Sequence, residues 1–269
     1  MLYNLIFLIL PLCLMCKSCQ VYDKDLVNNA LLISQQTYCP NTTIVNENVI
    51  LESVAHKNGD EAIIGFDKKY KSIFVAFRGS DNIFNWLNNI RIVKVNPYRN
   101  YPEAGVETGF FNMYKKLDSK IYGDIIKLSI KYNNTNIMIT GHSLGAALST
   151  LLAFDVLHDS VYDGFNVHSL ITFGSPRVGN KQFSDLVSNI TSYRVTHYYD
   201  LVPHLPFEFL DYHHVRQEIW YNEDNTDFTE CDDKFYEDSS CCNSCGSTDC
   251  ISIDDHLNYL NITMGSDGC

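Results

Sequence analysis

Apolar positions along this chain follow two alternating rhythms. Leu26, Ala30, Leu31 and Ile33 set a helical spacing over Asp25–Thr37. Met113, Leu117, Ile121, Ile125, Ile126 and Ile130 repeat it over Phe110–Tyr132. Recurrence at three and four residues turns one apolar stripe toward a core. Between these helices, Ala62–Phe66 and Ser72–Phe77 are short apolar runs separated by Lys68-Lys69-Tyr70-Lys71, which predicts paired strands. Downstream the rhythms take turns. Strands are predicted over Asn136–Thr140, Val167–Phe173, Tyr193–Tyr199 and Val215–Tyr221, the last expected to close the sheet. Helices are predicted over Ala146–Leu157 and Lys181–Val187. Strands that alternate with helices imply a mainly parallel sheet covered on both faces, an α/β fold. No repeat and no Pro- or Ser-rich linker divides the chain, so one domain over residues 19–269 is expected.

Composition narrows the picture little. The 269 residues are 45% hydrophobic and 19% charged, a globular balance. The formal net charge of −12 argues against nucleic-acid binding, which needs clustered cations. Much of that charge is local: nine acids and one Lys lie between Asn222 and Cys250, leaving −4 for the other residues.

The N-terminus carries about 12 apolar residues before Lys17, nearer to a signal-peptide core than to the ~20 of a membrane span. A signal peptide over residues 1–18 is expected, with a retained anchor as the alternative. Ten cysteines suit export to an oxidising compartment, and cleavage after Ser18 leaves eight. Five of them crowd Cys231–Cys250, so 222–250 reads as an acidic loop pinned by disulfides. Cys242-x2-Cys245 has the spacing of a metal-binding pair, but no second CxxC or HxxxH accompanies it, so disulfides are expected in preference to metal. Asn41, Asn133, Asn189 and Asn261 open N-glycosylation triplets.

Candidate chemistry sits at Gly141-His142-Ser143-Leu144-Gly145, between a predicted buried strand and a predicted helix. A turn that tight holds a serine in a strained conformation with its hydroxyl projecting from the sheet. Glycines two residues before and after let strand and helix pack closely. The backbone N–H groups that follow lie at a helix N-terminus, where positive partial charge meets a developing oxyanion. A serine nucleophile needs a base, and the base needs an orienting acid. Both belong in loops after later strands. Asp200 ends the strand Tyr193–Tyr199, whereas Asp155 is mid-helix and Asp163 and Asp211 follow no clear parallel strand. His204 is too close to Asp200, and His213 and His214 enter a strand. His256, in Asp254-Asp255-His256, is the expected base, so Ser143, Asp200 and His256 are the candidate triad. The N–H of Ser80, after the strand ending at Phe77, and that of Leu144 are candidate oxyanion donors. Ile83, Trp86, Leu87 and Ile90 then form an apolar stripe on a short amphipathic helix, which reads as a lid or as a surface helix packed on the core.

Several segments together resemble the class 3 lipases, the fungal-type secreted triacylglycerol lipases of α/β-hydrolase fold. They are Phe77-Arg78-Gly79-Ser80, Asn85-Trp86, Gly109-Phe110, the Ser143 pentapeptide, Phe173–Asn180, Thr196–Pro206 and Asp255–Tyr259. The resemblance runs from about Asp25 to the C-terminus. It implies nucleophile Ser143, acid Asp200 and base His256. It also implies an oxyanion hole at Ser80 and Leu144, a lid around 82–90 and a Cys39–Cys269 disulfide. Phe173–Asn180 is expected to shape a strand-to-helix crossing near the site. Ala146, Glu107 and Leu260 depart from the usual Gly, His and Phe without touching the triad. The family implies carboxyl-ester hydrolysis with no metal or organic cofactor. The substrate is expected to be an acylglycerol met at a lipid–water interface by a secreted monomer. Phospholipase A1 or feruloyl-type esterase activity is the alternative, and a non-catalytic lipid-binding role the remote one.

Overall fold

The computed structural model describes residues 22–269, apart from residues 90–91, 189, 233, 235 and 246–248. The expected signal peptide, the lid residue Ile90 and the glycan acceptor Asn189 therefore lie outside the described residues. No described helix is long and apolar enough to cross a membrane.

An eight-stranded sheet organises the molecule in the order β1 (Val49–Lys57), β2 (Asp60–Asp67), β3 (Ser72–Phe77), β6 (Asn136–His142), β7 (Asn166–Phe173), β8 (Ser192–His197), β9 (Glu218–Tyr221), β10 (Phe228–Glu230). The five strands from β3 to β9 pair in parallel. The β1–β2–β3 meander and β10 pair antiparallel at the two edges. Two ribbons flank the sheet: β4 (Lys94–Val95) with β5 (Val106–Glu107), and β11 (Asn258–Tyr259) with β12 (Ile262–Thr263).

Two differences from the sequence reading concern the edges. Val215–Tyr221 shortens to Glu218–Tyr221 and is not last, because β10 adds outside it. His213 lies in an isolated bridge to Gly179 rather than in a strand. β1 had no clear signal: it is an edge strand half-open to water, so its sequence Val-Ile-Leu-Glu-Ser-Val-Ala-His-Lys lacks clean alternation.

The central strands show why the sheet is buried on both faces. All of Ser72–Phe77 is buried. Ile73, Val75 and Phe77 pack on one side with Ile137 and Ile139. Phe74 and Ala76 pack on the other with Met138 and Ile171. Side chains alternate across a strand, so each face has its own core. The first core is closed by α3 (Thr108–Tyr132), α4 (Leu144–His158) and α5 (Lys181–Val187). The second is closed by α1 (Lys24–Gln36) and the C-terminal segment through Tyr259 and Met264. Helix α4 has no polar face because almost all of it is buried. Three disulfides join described residues: Cys39–Cys269, as the resemblance implied, Cys231–Cys241 and Cys245–Cys250.

Candidate active site

The tight turn predicted at Ser143 is present. Ser143 caps α4 directly after β6, with φ 59° and ψ −128°, a backbone conformation that costs a non-glycine residue strain. Glycine is required on either side. A Cβ on Gly141 would come within 2.5 Å of the Gly145 carbonyl group, and one on Gly145 would strike the Phe77 backbone and lie 3.0 Å from the Arg78 carbonyl carbon. The start of α4 therefore rests against the backbone of Phe77 and Arg78 at the end of β3. Ser143 itself donates its N–H to Phe173 O at 2.9 Å, continuing the parallel ladder.

Asp200 follows β8, and His256 ends the single-turn helix α6 (Ile253–His256). The loops meet through backbone: Ser252 N–H donates to Tyr199 O at 3.0 Å and Leu201 N–H to Ser252 O at 3.2 Å. His256 Nδ1 lies 2.9 Å from Asp200 Oδ2 and 3.0 Å from Oδ1, both side chains fully buried. Tyr259 donates its hydroxyl to the same carboxylate at 2.5 Å, and Val202 N–H donates at 2.8 Å. Burial alone would push Asp200 up. The His256 charge, its hydrogen bond and the Tyr259 and Val202 donors outweigh burial and hold the carboxyl below its usual range.

Ser143 Oγ and His256 Nε2 are buried, and neither has a hydrogen-bond partner among the described residues. The structure thus joins acid to base and leaves the serine–imidazole hydrogen bond unclosed. Such bonds are often open before substrate binds.

Four residues around this pair had no role assigned from the sequence: Gly174, His142, Tyr38 and Tyr259. Gly174 has φ +54°, and a Cβ there would lie 2.9 Å from Asp200 Oδ2, His256 Cε1 and His256 Nδ1. The segment expected only to shape a crossing therefore seats the acid–base pair. His142 Nε2 donates to the His256 backbone carbonyl at 2.8 Å. Its Nδ1 must then accept from the Tyr38 hydroxyl at 3.0 Å. Burial, reinforced by His256, pushes His142 down to about 3, so it stays neutral. Tyr259 was visible as a motif residue and Gly174 as a glycine after a strand. Tyr38 is 104 residues from His142 and carried no local signal.

The other candidates for base and acid are engaged elsewhere. His214 donates to Pro203 O at 2.7 Å, and His204 Nε2 faces Cys242 Sγ at 3.4 Å. Asp155 accepts from the Tyr114 hydroxyl at 2.7 Å, on the far end of α4 from Ser143. Asp211 and Asp163 cap short 3-10 turns.

The expected lid is α2 (Ile83–Asn89). Ile83 and Trp86 are buried and Leu87 half-buried, with the Trp86 ring stacked on Phe110, centroids 6.1 Å apart. Helix α2 thus packs its apolar stripe on the core, and Ser143 is only 2% exposed. Glu107, where relatives often carry His, is buried and caps α3 by accepting from Phe110 N–H at 2.6 Å.

The sheet order, the strained serine turn and the acid and base on loops after later strands define an α/β-hydrolase. A family model described as "Lipase (class 3)" matches residues 74–210, which include Ser143 and Asp200. The chain belongs to the class 3 lipase family. It is 34% identical over 184 residues to the secreted mono- and diacylglycerol lipase 1 of Fusarium solani, covering 68% of this chain and 54% of that one. It is 29% identical over 211 residues to a Rhizomucor miehei lipase, covering 76% of this chain and 56% of that one. The chain thus spans little more than half the length of these relatives. In space it superposes on the Rhizomucor miehei lipase in its propeptide complex with a TM-score of 0.80 at 26% identity, covering 90% of this chain and 81% of that one.

Proposed function

We propose that this protein is a secreted triacylglycerol lipase-type hydrolase that cleaves fatty-acyl esters of acylglycerols through Ser143, His256 and Asp200. One observation carries the reading: the strained serine turn is joined through His142 to a fully buried Asp200–His256 pair, and Ser143 Oγ and His256 Nε2 are both buried without a hydrogen-bond partner among the described residues. His256 takes the Ser143 proton as Oγ attacks the ester carbonyl. Asp200 and Tyr259 hold the imidazole tautomer. The Ser80 and Leu144 N–H groups receive the oxyanion, each such donor contributing about 3 kcal/mol to transition-state stabilisation. His256 then protonates the departing alcohol. Water, activated by the same imidazole, releases the fatty acid from the acyl-enzyme.

The apolar stripe of α2 supports a lipid ester over a soluble one. Ile83 and Trp86 are buried while Ser143 is almost fully covered, and on this reading α2 swings away at a lipid–water interface, which supplies apolar surface to receive the stripe. Export is supported by the apolar N-terminal run, the disulfides and relatives named as secreted. We infer a monomer, with glycan acceptors at the exposed Asn41, Asn133 and Asn261. Ser143→Ala is expected to abolish hydrolysis and labelling by a fluorophosphonate while leaving thermal unfolding in place. Near-normal turnover would refute the assignment. A panel of triolein, phosphatidylcholine and methyl ferulate on one secreted preparation separates acylglycerol lipase from phospholipase A1 and feruloyl-type esterase.

A further inference from the structure

Large apolar side chains stand exposed on the two segments that follow α2 and Asp200. Phe209 is 81% exposed and Phe207 39%, and their rings stack with centroids 5.3 Å apart and planes 12° from parallel. Ile92 and Val93, which come shortly after α2, are 57% and 63% exposed. Lys94 sets the two pairs side by side: its Nζ donates to Leu210 O at 2.6 Å and to Asp211 O at 3.0 Å. Apolar residues scattered singly are ordinary on a surface, but a gathered patch marks a contact surface. The patch is fixed without help from α2. Val93 O accepts from the Thr108 N–H at 3.0 Å and from its hydroxyl at 2.7 Å. Pro206 O accepts from Arg177 Nη1 at 3.0 Å, and Leu210 N–H closes a turn onto Phe207 O at 3.0 Å.

We propose that Phe207, Phe209, Ile92 and Val93 form a standing anchor that seats the protein on an uncharged acylglycerol surface before α2 moves. The proposal rests on the acylglycerol lipase reading above and adds to it a contact that the lid does not make. Ile83 and Trp86 are buried in the core, so the stripe of α2 cannot supply the first contact with lipid. The exposed rings can, because each ring that enters the lipid leaves water. Charge selects the surface. Glu208 stands between the two phenylalanines in sequence and Asp211 follows them, both exposed. The cation at the patch, Lys94, is turned to Leu210 and Asp211, and its Nζ lies 4.4 Å from the centroid of the Tyr212 ring. The whole chain carries a formal charge of −12. Anionic headgroups therefore meet acids, whereas an uncharged lipid surface pays no such repulsion. Ile92 and Val93 leave α2 within a few residues, so a molecule seated by the patch holds α2 at the same interface, where its stripe finds apolar surface to enter.

The test reads attachment rather than turnover. The full chain carrying Ser143→Ala is mixed with triolein droplets coated with phosphatidylcholine, and the bound fraction is measured by flotation. Phe209→Ser in this background is expected to weaken partitioning about tenfold, and Phe207→Ser with Phe209→Ser about 100-fold, since burial of a Phe side chain is worth about tenfold or more. Replacing a third of the coat by phosphatidylglycerol is expected to weaken attachment of the chain with both phenylalanines in place. Partitioning that is unchanged in Phe209→Ser and in the double variant overturns the anchor. Tighter attachment to the phosphatidylglycerol-containing droplets overturns the choice of an uncharged surface. The substituted side chains are exposed, so thermal unfolding of both variants is expected to match that of the parent. Flotation needs no active serine, so the anchor is decided here even if the turnover of Ser143→Ala refutes the hydrolase reading.

Discussion

Gly174 and Tyr259 decide how well the acid–base pair is held. A methyl at Gly174 has no free space, since its three nearest atoms at 2.9 Å belong to Asp200 and His256, and φ +54° strains any side chain. Gly174→Ala is expected to lower kcat about 100-fold, because displacing a catalytic group by about 1 Å costs that much. Tyr259→Phe removes one donor to Asp200 without adding bulk. A hydrogen bond to a charged group is worth about 1.5–3 kcal/mol, so kcat should fall about tenfold or more with KM little changed. Both are checked on a soluble p-nitrophenyl ester.

His142 is a different kind of residue, buried and neutral at about 3 against an ordinary 6.5. The unfolded chain binds a proton there across that interval and the folded chain does not. Its contribution to stability is therefore complete above pH 6.5 and is lost as pH falls toward 3, by up to ~1.4 kcal/mol per pH unit. His142→Gln should narrow the gap in urea-unfolding free energy between pH 7 and pH 4.5 by about 2 kcal/mol. An unchanged gap would mean that the folded imidazole titrates normally. Ser143 was legible because its motif is local. The Tyr38–His142–His256 chain was not, because its members meet only when α1, β6 and α6 are packed.

Among the elements, α2 and α4 contrast. Helix α4 is apolar all round and held by both neighbouring helices and strands, so its place was plain in the sequence and it provides a rigid base for Ser143. Helix α2 is short, with exposed Asn85 beside buried Ile83 and Trp86. The pattern alone permits a packed surface helix or a lid. We propose a lid from position: α2 follows Ser80, the candidate oxyanion donor, and its apolar stripe is buried while the serine is buried. Hydrolysis of tributyrin is expected to jump as substrate passes its solubility limit. Trp86→Ala removes the stacking on Phe110 and about 2 kcal/mol or more of closed-state stabilisation. It should raise the rate below saturation and shrink the jump; a jump of unchanged size would assign gating to another element.

For the whole molecule, the Cys39–Cys269 bond ties the end of α1 to the C-terminus across a sequence separation of 230. It closes the second core, where α1 packs with Tyr259 and Met264. Chain-entropy reasoning gives a loop this long about 5.5 kcal/mol. Cys39→Ser with Cys269→Ser should lower Tm by about 10 °C in calorimetry and leave the far-UV spectrum of the folded state unchanged.

Hydrophobic periodicity was enough to place the helices and the central strands, because buried elements must carry apolar residues at the spacing of their own geometry. The serine turn was equally plain, since its glycines and its strand-to-helix setting lie within a few consecutive residues. Packing alone settled the rest. It added the half-exposed edge strands β1 and β10, whose sequences carry no clean alternation. It seated Gly174 beneath the acid–base pair, linked Tyr38 to His142 and brought His204 to the cysteines. Those relations join residues far apart in the chain, and distance in space is not written in local spacing.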